Sequence, residues 1–190
     1  MTGGAPRAIV IGASAGAVQA LSDILPRLPA DYPVPILVVV HVPAAPSGLT
    51  RLFAAKCAVA VVEPDDKERI APGTVYFAPP GYHLMVEREG TIALSTDEPV
   101  LFSRPSIDVL FESAAESFGP NLLALVLTGA NEDGARGAAL IEAAGGSVLV
   151  EDPASAYAAT MPAAALARCA NARALSLDAI ADHLLFLGAA

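Results

Sequence analysis

AIVIGASAGAVQALSDIL, residues 8–25, decides the fold. AIVI (8–11) is apolar at every position, as expected of a strand buried between two layers. Beyond the glycine-rich bend GASAGA (12–17), Val18, Leu21, Leu25 and Leu28 recur at helical spacing and predict one apolar stripe on a helix of about 16–27. A strand, a tight turn and an amphipathic helix are the opening unit of a parallel sheet. Such a bend serves two chemistries. It cradles a phosphate at the helix N-terminus, or it lifts a serine, here Ser14, out of the turn as a nucleophile.

The alternation continues down the chain. PILVVV (35–40), VAVVE (59–63), LLALVL (122–127) and SVLVE (147–151) read as further buried strands, with a short strand at 173–176. Helices are predicted near 47–56, over 104–119 and to about 144, with the last two near 162–170 and 178–187. TVYFA (74–78), HLMVE (83–87) and TIALS (91–95), separated by APPGY and REG, read as an antiparallel excursion. The expectation is an α/β fold: a three-layer α/β/α, doubly wound, mostly parallel sheet with a small antiparallel excursion. One domain is expected over 7–188, with 1–6 a flexible lead-in.

Composition narrows the function classes. The 190 residues are 54% hydrophobic, yet no apolar run approaches the roughly 18 residues of a membrane span. MTGGAPR carries no basic region followed by an apolar stretch, so no secretory signal is expected and the location expected is cytoplasmic. Cys57 and Cys169 lie far apart among alanines, as buried thiols do, without metal-type spacing. A net charge of −9 with no basic stripe argues against a nucleic-acid partner.

Ligands collect at the carboxyl ends of strands in such sheets, which singles out three places. The first strand runs into Ser14, the second into His41, and 122–127 into Asn131-Glu132-Asp133. Each has a plain structural reading: Ser14 near a helix cap, His41 a hydrogen-bonded histidine, Asp133 an N-cap. Together they have the composition of a nucleophile, a base and an orienting acid. The G-x-S-x-G spacing of Gly12, Ser14 and Gly16 gives the sharp, uncrowded turn that an exposed nucleophile requires. The order Ser, His, Asp differs from that of the α/β-hydrolases. A nicotinamide site wants a ribose-holding residue where His41 stands, and no tyrosine has a lysine four residues on. A P-loop would need Gly-Lys-Ser/Thr, which is absent.

At this point the chain resembles the catalytic domain of the chemotaxis receptor methylesterases, the CheB family. The resemblance rests on IGASAGAVQAL (11–21), VVVHVP (38–43), IAPGTVYFAPPGYHLMV (70–86), SRPSIDVLFESAA (103–115), LTGANEDGARG (127–137) and VEDPASAYAATMP (150–162), in the family's order. It implies a serine hydrolase that removes methanol from γ-glutamyl methyl esters on chemoreceptor cytoplasmic helices or a related signalling protein, with deamidation of receptor glutamines in some members. Carried over by position, Ser14 is the nucleophile, His41 the base and Asp133 the acid, preferred over Glu132 because Gly134 follows it. The resemblance implies no metal and no cofactor. Backbone amides at Ala15 and Ala130 are the candidate oxyanion donors, and Arg104 is a candidate substrate contact. His83 and His183 are read as structural, and Met161 as packing near the cleft. No phosphate-accepting receiver domain is expected ahead of the first strand. Ala15, Ala17 and Ala130-Asn131 depart from the family's usual residues, which motivates an alternative: a receptor-docking or regulatory domain with weak or silent catalysis.

Overall fold

The computed structural model describes residues 7–41 and 48–189. The expected lead-in at 1–6 and the first residue of the helix predicted over 47–56 lie outside the described residues.

Apart from one run of four consecutive strands, nine strands and six α-helices alternate in order among the described residues. They are β1 (Ala8–Ala13), α1 (Ala17–Ile24), β2 (Ile36–Val40), α2 (Leu49–Ala54), β3 (Ala60–Val62), β4 (Thr74–Phe77), β5 (His83–Val86) and β6 (Ile92–Ser95). After them come α3 (Ile107–Phe118), β7 (Leu122–Val126), α4 (Ala135–Ala143), β8 (Ser147–Glu151), α5 (Thr160–Arg168), β9 (Arg173–Leu175) and α6 (Leu177–Gly188). Helix α1 is shorter than its apolar stripe suggests. Pro26 is accommodated in a 3₁₀ turn over Leu25–Arg27, because its ring cannot continue the α-helical hydrogen bonding.

Seven strands form one parallel sheet in the order β3-β4-β2-β1-β7-β8-β9, and β5-β6 is a separate antiparallel hairpin. This corrects one expectation: 74–78 does not belong to the antiparallel excursion. Val75, Tyr76 and Phe77 are buried and pair in parallel with both β2 and β3. The APPGY stretch is therefore a crossing from the sheet to the hairpin rather than a hairpin turn.

Alternate residues of β1 feed two separate cores. Ile9, Ile11 and Ala13 face the layer of α1 and α6, while Ala8 and Val10 face α3, α4, α5 and the hairpin. The chain runs outward from β1 through β2, then returns to lay β7 on the other side of β1. This reversal leaves a crevice at the carboxyl end of β1, the place where doubly wound sheets bind ligands. Among the described residues no helix is long and apolar enough to cross a membrane.

Tyr32, 1% exposed, ties the approach to β2 to the last helix: its hydroxyl donates to the Leu184 carbonyl at 2.9 Å. Burial pushes the phenol up to about 12. Tyr32→Phe removes this bond and is expected to cost about 1 kcal/mol. Thermal unfolding should read this as a midpoint lowered by roughly 2–4 °C.

Candidate active site

Register brings the first two predicted residues side by side. Ala13 pairs with Val40 across β1 and β2, and the His41 amide donates to the Ala13 carbonyl at 3.1 Å. Ser14 and His41 are the next residue of each strand. The turn around Ser14 is possible only with its glycines. Gly16 has φ +88°, and a Cβ there would lie 2.7 Å from Cβ of Tyr157. A Cβ on Gly12 would overlap Cγ2 of Ile107, and one on Gly134 would stand 2.5 Å from that same methyl. Ile107 thus seats one methyl against both the Ser14 strand and the Asp133 loop.

Thr128, at the end of β7, secures the serine turn. Its carbonyl accepts from the Ser14 amide at 2.9 Å. Its hydroxyl donates to the Ala15 carbonyl at 2.7 Å and accepts from the Ala158 amide at 2.8 Å. The Thr128 amide donates to the buried carboxylate of Glu151 at 2.7 Å. Burial pushes the Glu151 carboxyl up, opposed by this amide bond.

His41 Nε2 and Asp133 Oδ2 are 2.7 Å apart. An ionised carboxylate only accepts, so Nε2 carries the proton and Nδ1 is left for another partner. Asp133 is fully buried and receives three further donors: the Ile107 amide at 2.7 Å, the Asp108 amide at 3.0 Å and the Ser106 hydroxyl at 2.9 Å. Burial pushes its carboxyl up, but the bonds from His41 and the amides of Asp108 and Ile107 outweigh that and hold it below the ordinary value. The N-terminus of α3 adds a favourable dipole.

Asp108 returns the arrangement. It stands in the first turn of α3, but its Oδ1 accepts from the amides of Gly134 at 3.0 Å and Gly137 at 2.7 Å, at the start of α4. Arg136 Nε lies 3.4 Å from its other oxygen. Burial pushes the Asp108 carboxyl up, beyond what the Gly137 amide recovers, and the nearby Asp133 charge adds to the rise.

Ser14 and His41 line one cavity of about 330 Å³, walled by Val18, Val40, Leu49 and Tyr157. No Asp, Glu, Lys or Arg lines it among the described residues. The amides of Ala15 and Ala130 donate to no acceptor among the described residues.

The other candidates lie elsewhere. Arg104 is half-buried and donates from Nη1 to the carbonyls of Thr96 at 2.8 Å and Asp97 at 2.9 Å, outside the Ser14 cavity. His83 is buried: its Nδ1 accepts from the Ser106 amide at 3.1 Å, and Nε2 faces the Glu98 carbonyl at 3.2 Å. Met161 packs over Gly129 beside the Asp133 loop. Glu132 is exposed and 3.6 Å from Arg168. His183 is half-buried on α6 and lines a different cavity. Sequence reading missed Ser106, Asp108, Thr128 and Glu151. Only Glu151 leaves a signal, as a carboxylate closing the apolar run Val148–Val150.

A family model described as CheB methylesterase matches residues 9–184. A protein of Leptospira interrogans is 47% identical over 139 residues, which are 73% of this chain and 72% of its own. A Bordetella parapertussis protein named "Protein-glutamate methylesterase/protein-glutamine glutaminase" is 46% identical over 145 residues, 72% of this chain but 40% of its own length. The crystal structure of the Thermotoga maritima CheB methylesterase catalytic domain superposes with a TM-score of 0.89 at 31% identity, covering 96% of this chain and 98% of that one.

Two stability predictions follow from the paired carboxylates. Asp108→Ala leaves two buried amides without acceptors and is expected to cost about 2–3 kcal/mol in urea denaturation, with Asp108→Asn recovering part of it. Asp133 is depressed in the fold, so its contribution is full above the unfolded value of about 3.9 and is lost as pH falls through the lower folded value. The stability gap between wild type and Asp133→Asn should therefore narrow as the pH is lowered through about 4.

Proposed function

The chain belongs to the CheB methylesterase family, and from that premise we propose that it hydrolyses γ-glutamyl methyl esters on methylated chemoreceptor helices through Ser14, His41 and Asp133. The observation that carries this reading is the 2.7 Å contact of His41 Nε2 with the buried Asp133, on a histidine that shares a cavity with Ser14.

In this reading His41 Nδ1 takes the Ser14 proton as Oγ attacks the ester carbonyl. Asp133 stays ionised and holds the ring with Nε2 protonated, stabilising the imidazolium that forms. The amides of Ala15 and Ala130, which have no acceptor among the described residues, are the donors for the developing oxyanion. An amide donates whatever its side chain, so the alanines at these positions preserve that chemistry. Collapse of the tetrahedral intermediate passes the proton from His41 to the methoxide, which leaves as methanol. Water then attacks the acyl-serine with His41 again as base, and the products are a free glutamate and regenerated Ser14. The same steps on a glutamine side chain release ammonia, which is the deamidation in the paired name of the Bordetella relative.

The cavity suits a neutral side chain. Its walls are mostly apolar apart from Ser14, Gln19 and His41, and no lysine or arginine among its described lining is placed to hold the carboxylate product. Ester is thereby favoured over acid at the same position. The competing reading, a silent docking domain, draws on Ala15 and Ala130-Asn131; the intact His41–Asp133 pair weighs against it.

Methanol release from methylated receptor tests the assignment. Ser14→Ala is expected to fold like wild type and lose at least about 10³-fold in turnover. A fluorophosphonate should add to wild type and not to the variant in intact-mass spectra. Turnover by Ser14→Ala at the wild-type rate would overturn the reading.

A further inference from the structure

Ser106 holds the N-cap position of α3, with extended backbone at φ −109° and ψ 139°. A serine there ordinarily accepts from an amide of the first turn. This one makes no cap bond. Its hydroxyl instead donates to Asp133 Oδ1 at 2.9 Å, and the Asp108 amide, within reach of an ordinary serine cap, goes to that same oxygen at 3.0 Å. The carboxylate of a distant loop has taken over the capping, and the serine has become a donor to it.

The division of bonds on Asp133 gives this exchange a consequence. Oδ2 takes His41 Nε2 and the Ile107 amide, and Oδ1 takes the Ser106 hydroxyl and the Asp108 amide. Ser106 therefore bonds the Asp133 oxygen opposite the one that holds His41. It acts on the carboxylate plane: with both oxygens doubly bonded, rotation about Cβ–Cγ is blocked and Oδ2 stays aimed at the imidazole. Ser106 is itself held, at 0% exposure, by its amide donating to His83 Nδ1 at 3.1 Å. Nε2–H of His83 in turn donates to the Glu98 carbonyl at 3.2 Å, so a buried neutral tautomer satisfies both ends.

We propose that Ser106 is a positioning residue for the hydrolase: its hydroxyl fixes the rotation of the Asp133 carboxylate and, through it, the plane of the His41 ring that serves Ser14. The inference rests on the Ser14–His41–Asp133 reading. It assigns Ser106 no contact with substrate, so substrate binding and turnover separate when the hydroxyl is removed.

The test compares Ser106→Ala, Ser106→Cys, Ser106→Thr and Ser14→Ala with wild type. Methanol release from methylated receptor, fluorophosphonate labelling and circular dichroism are measured on each full chain. Ser106→Ala is expected to remain folded and lose about tenfold to a hundredfold in kcat, the range for partners that orient a functional ligand. KM should stay within about twofold, because no binding contact is lost. Labelling of Ser14 should slow by a similar factor, while Ser106→Thr, which keeps the hydroxyl, recovers most of both rates. A folded Ser106→Ala with wild-type kcat overturns the proposal. Equal impairment of the alanine and threonine variants does so too, since the loss then follows packing. If the alanine variant unfolds, the cysteine variant, nearly the same size but a weak donor, decides: full activity overturns the proposal and impairment supports it. Ser14→Ala separates the two readings. If it is inactive while Ser106→Ala is normal, only the Ser106 inference fails; if it stays active, both fail.

Discussion

The exchange of carboxylates between α3 and α4 is the constraint on which the rest of the site depends. Asp133 precedes α4 but accepts from the first amides of α3; Asp108 lies in α3 but accepts from the first amides of α4. Each helix start would otherwise bury amides without acceptors, at a cost of about 1–3 kcal/mol for each. Neither helix can therefore shift without uncovering the start of the other. His41 and this exchange together set the charge of Asp133: an isolated buried carboxylate tends to protonate, whereas Asp133 is held ionised by the His41 ring and the amides of Asp108 and Ile107. Asp108, with fewer compensating bonds and a negative neighbour, is pushed the other way. Burial alone does not set the behaviour of these two groups; the number and kind of donors does.

Around this pair the parallel sheet supplies alignment. Strand register places Ser14 and His41 at matching heights, because each is the residue that follows the pair Ala13 and Val40. Thr128 closes the other side of the Ser14 turn, linking β1, β7 and the segment at Ala158 through one side chain and its backbone. The Ser14 loop is short and tied at several points, so its geometry is set by the sheet rather than by the loop's own preferences. The placement of Ser14, His41 and Asp133 comes largely from pairings made along the sheet and between helix starts.

Much of this was legible in the sequence, for a physical reason. Ser14, His41 and Asp133 stand where apolar runs end, and hydrophobic patterning fixes those ends well. The failure at 74–78 has an equally definite origin: a short strand buried on both faces has no alternation that would distinguish a parallel neighbour from a hairpin arm. Asp108 was illegible for a different reason. In the sequence it reads as an acid favourably placed in the first turn of its own helix, which it is; that its oxygens reach another helix depends on how α3 and α4 pack. Ser106 stands at the N-cap of α3, where a serine ordinarily caps its own helix. What local sequence could not convey is that a residue from another loop performs the capping.

Ile107 carries a consequence for how this site can change over evolutionary time. Its Cγ2 methyl fills the space that a side chain would need at both Gly12 and Gly134. The three positions are far apart along the chain yet behave as a single character, since enlarging residue 12 becomes sterically admissible only after residue 107 loses that methyl. A substitution route through the glycine first passes through an overlapped intermediate, whereas a route through Ile107 first passes through a cavity. The order in which mutations arrive would then decide which descendants keep an assembled site, and variation at position 12 should be found tied to the identity of residue 107.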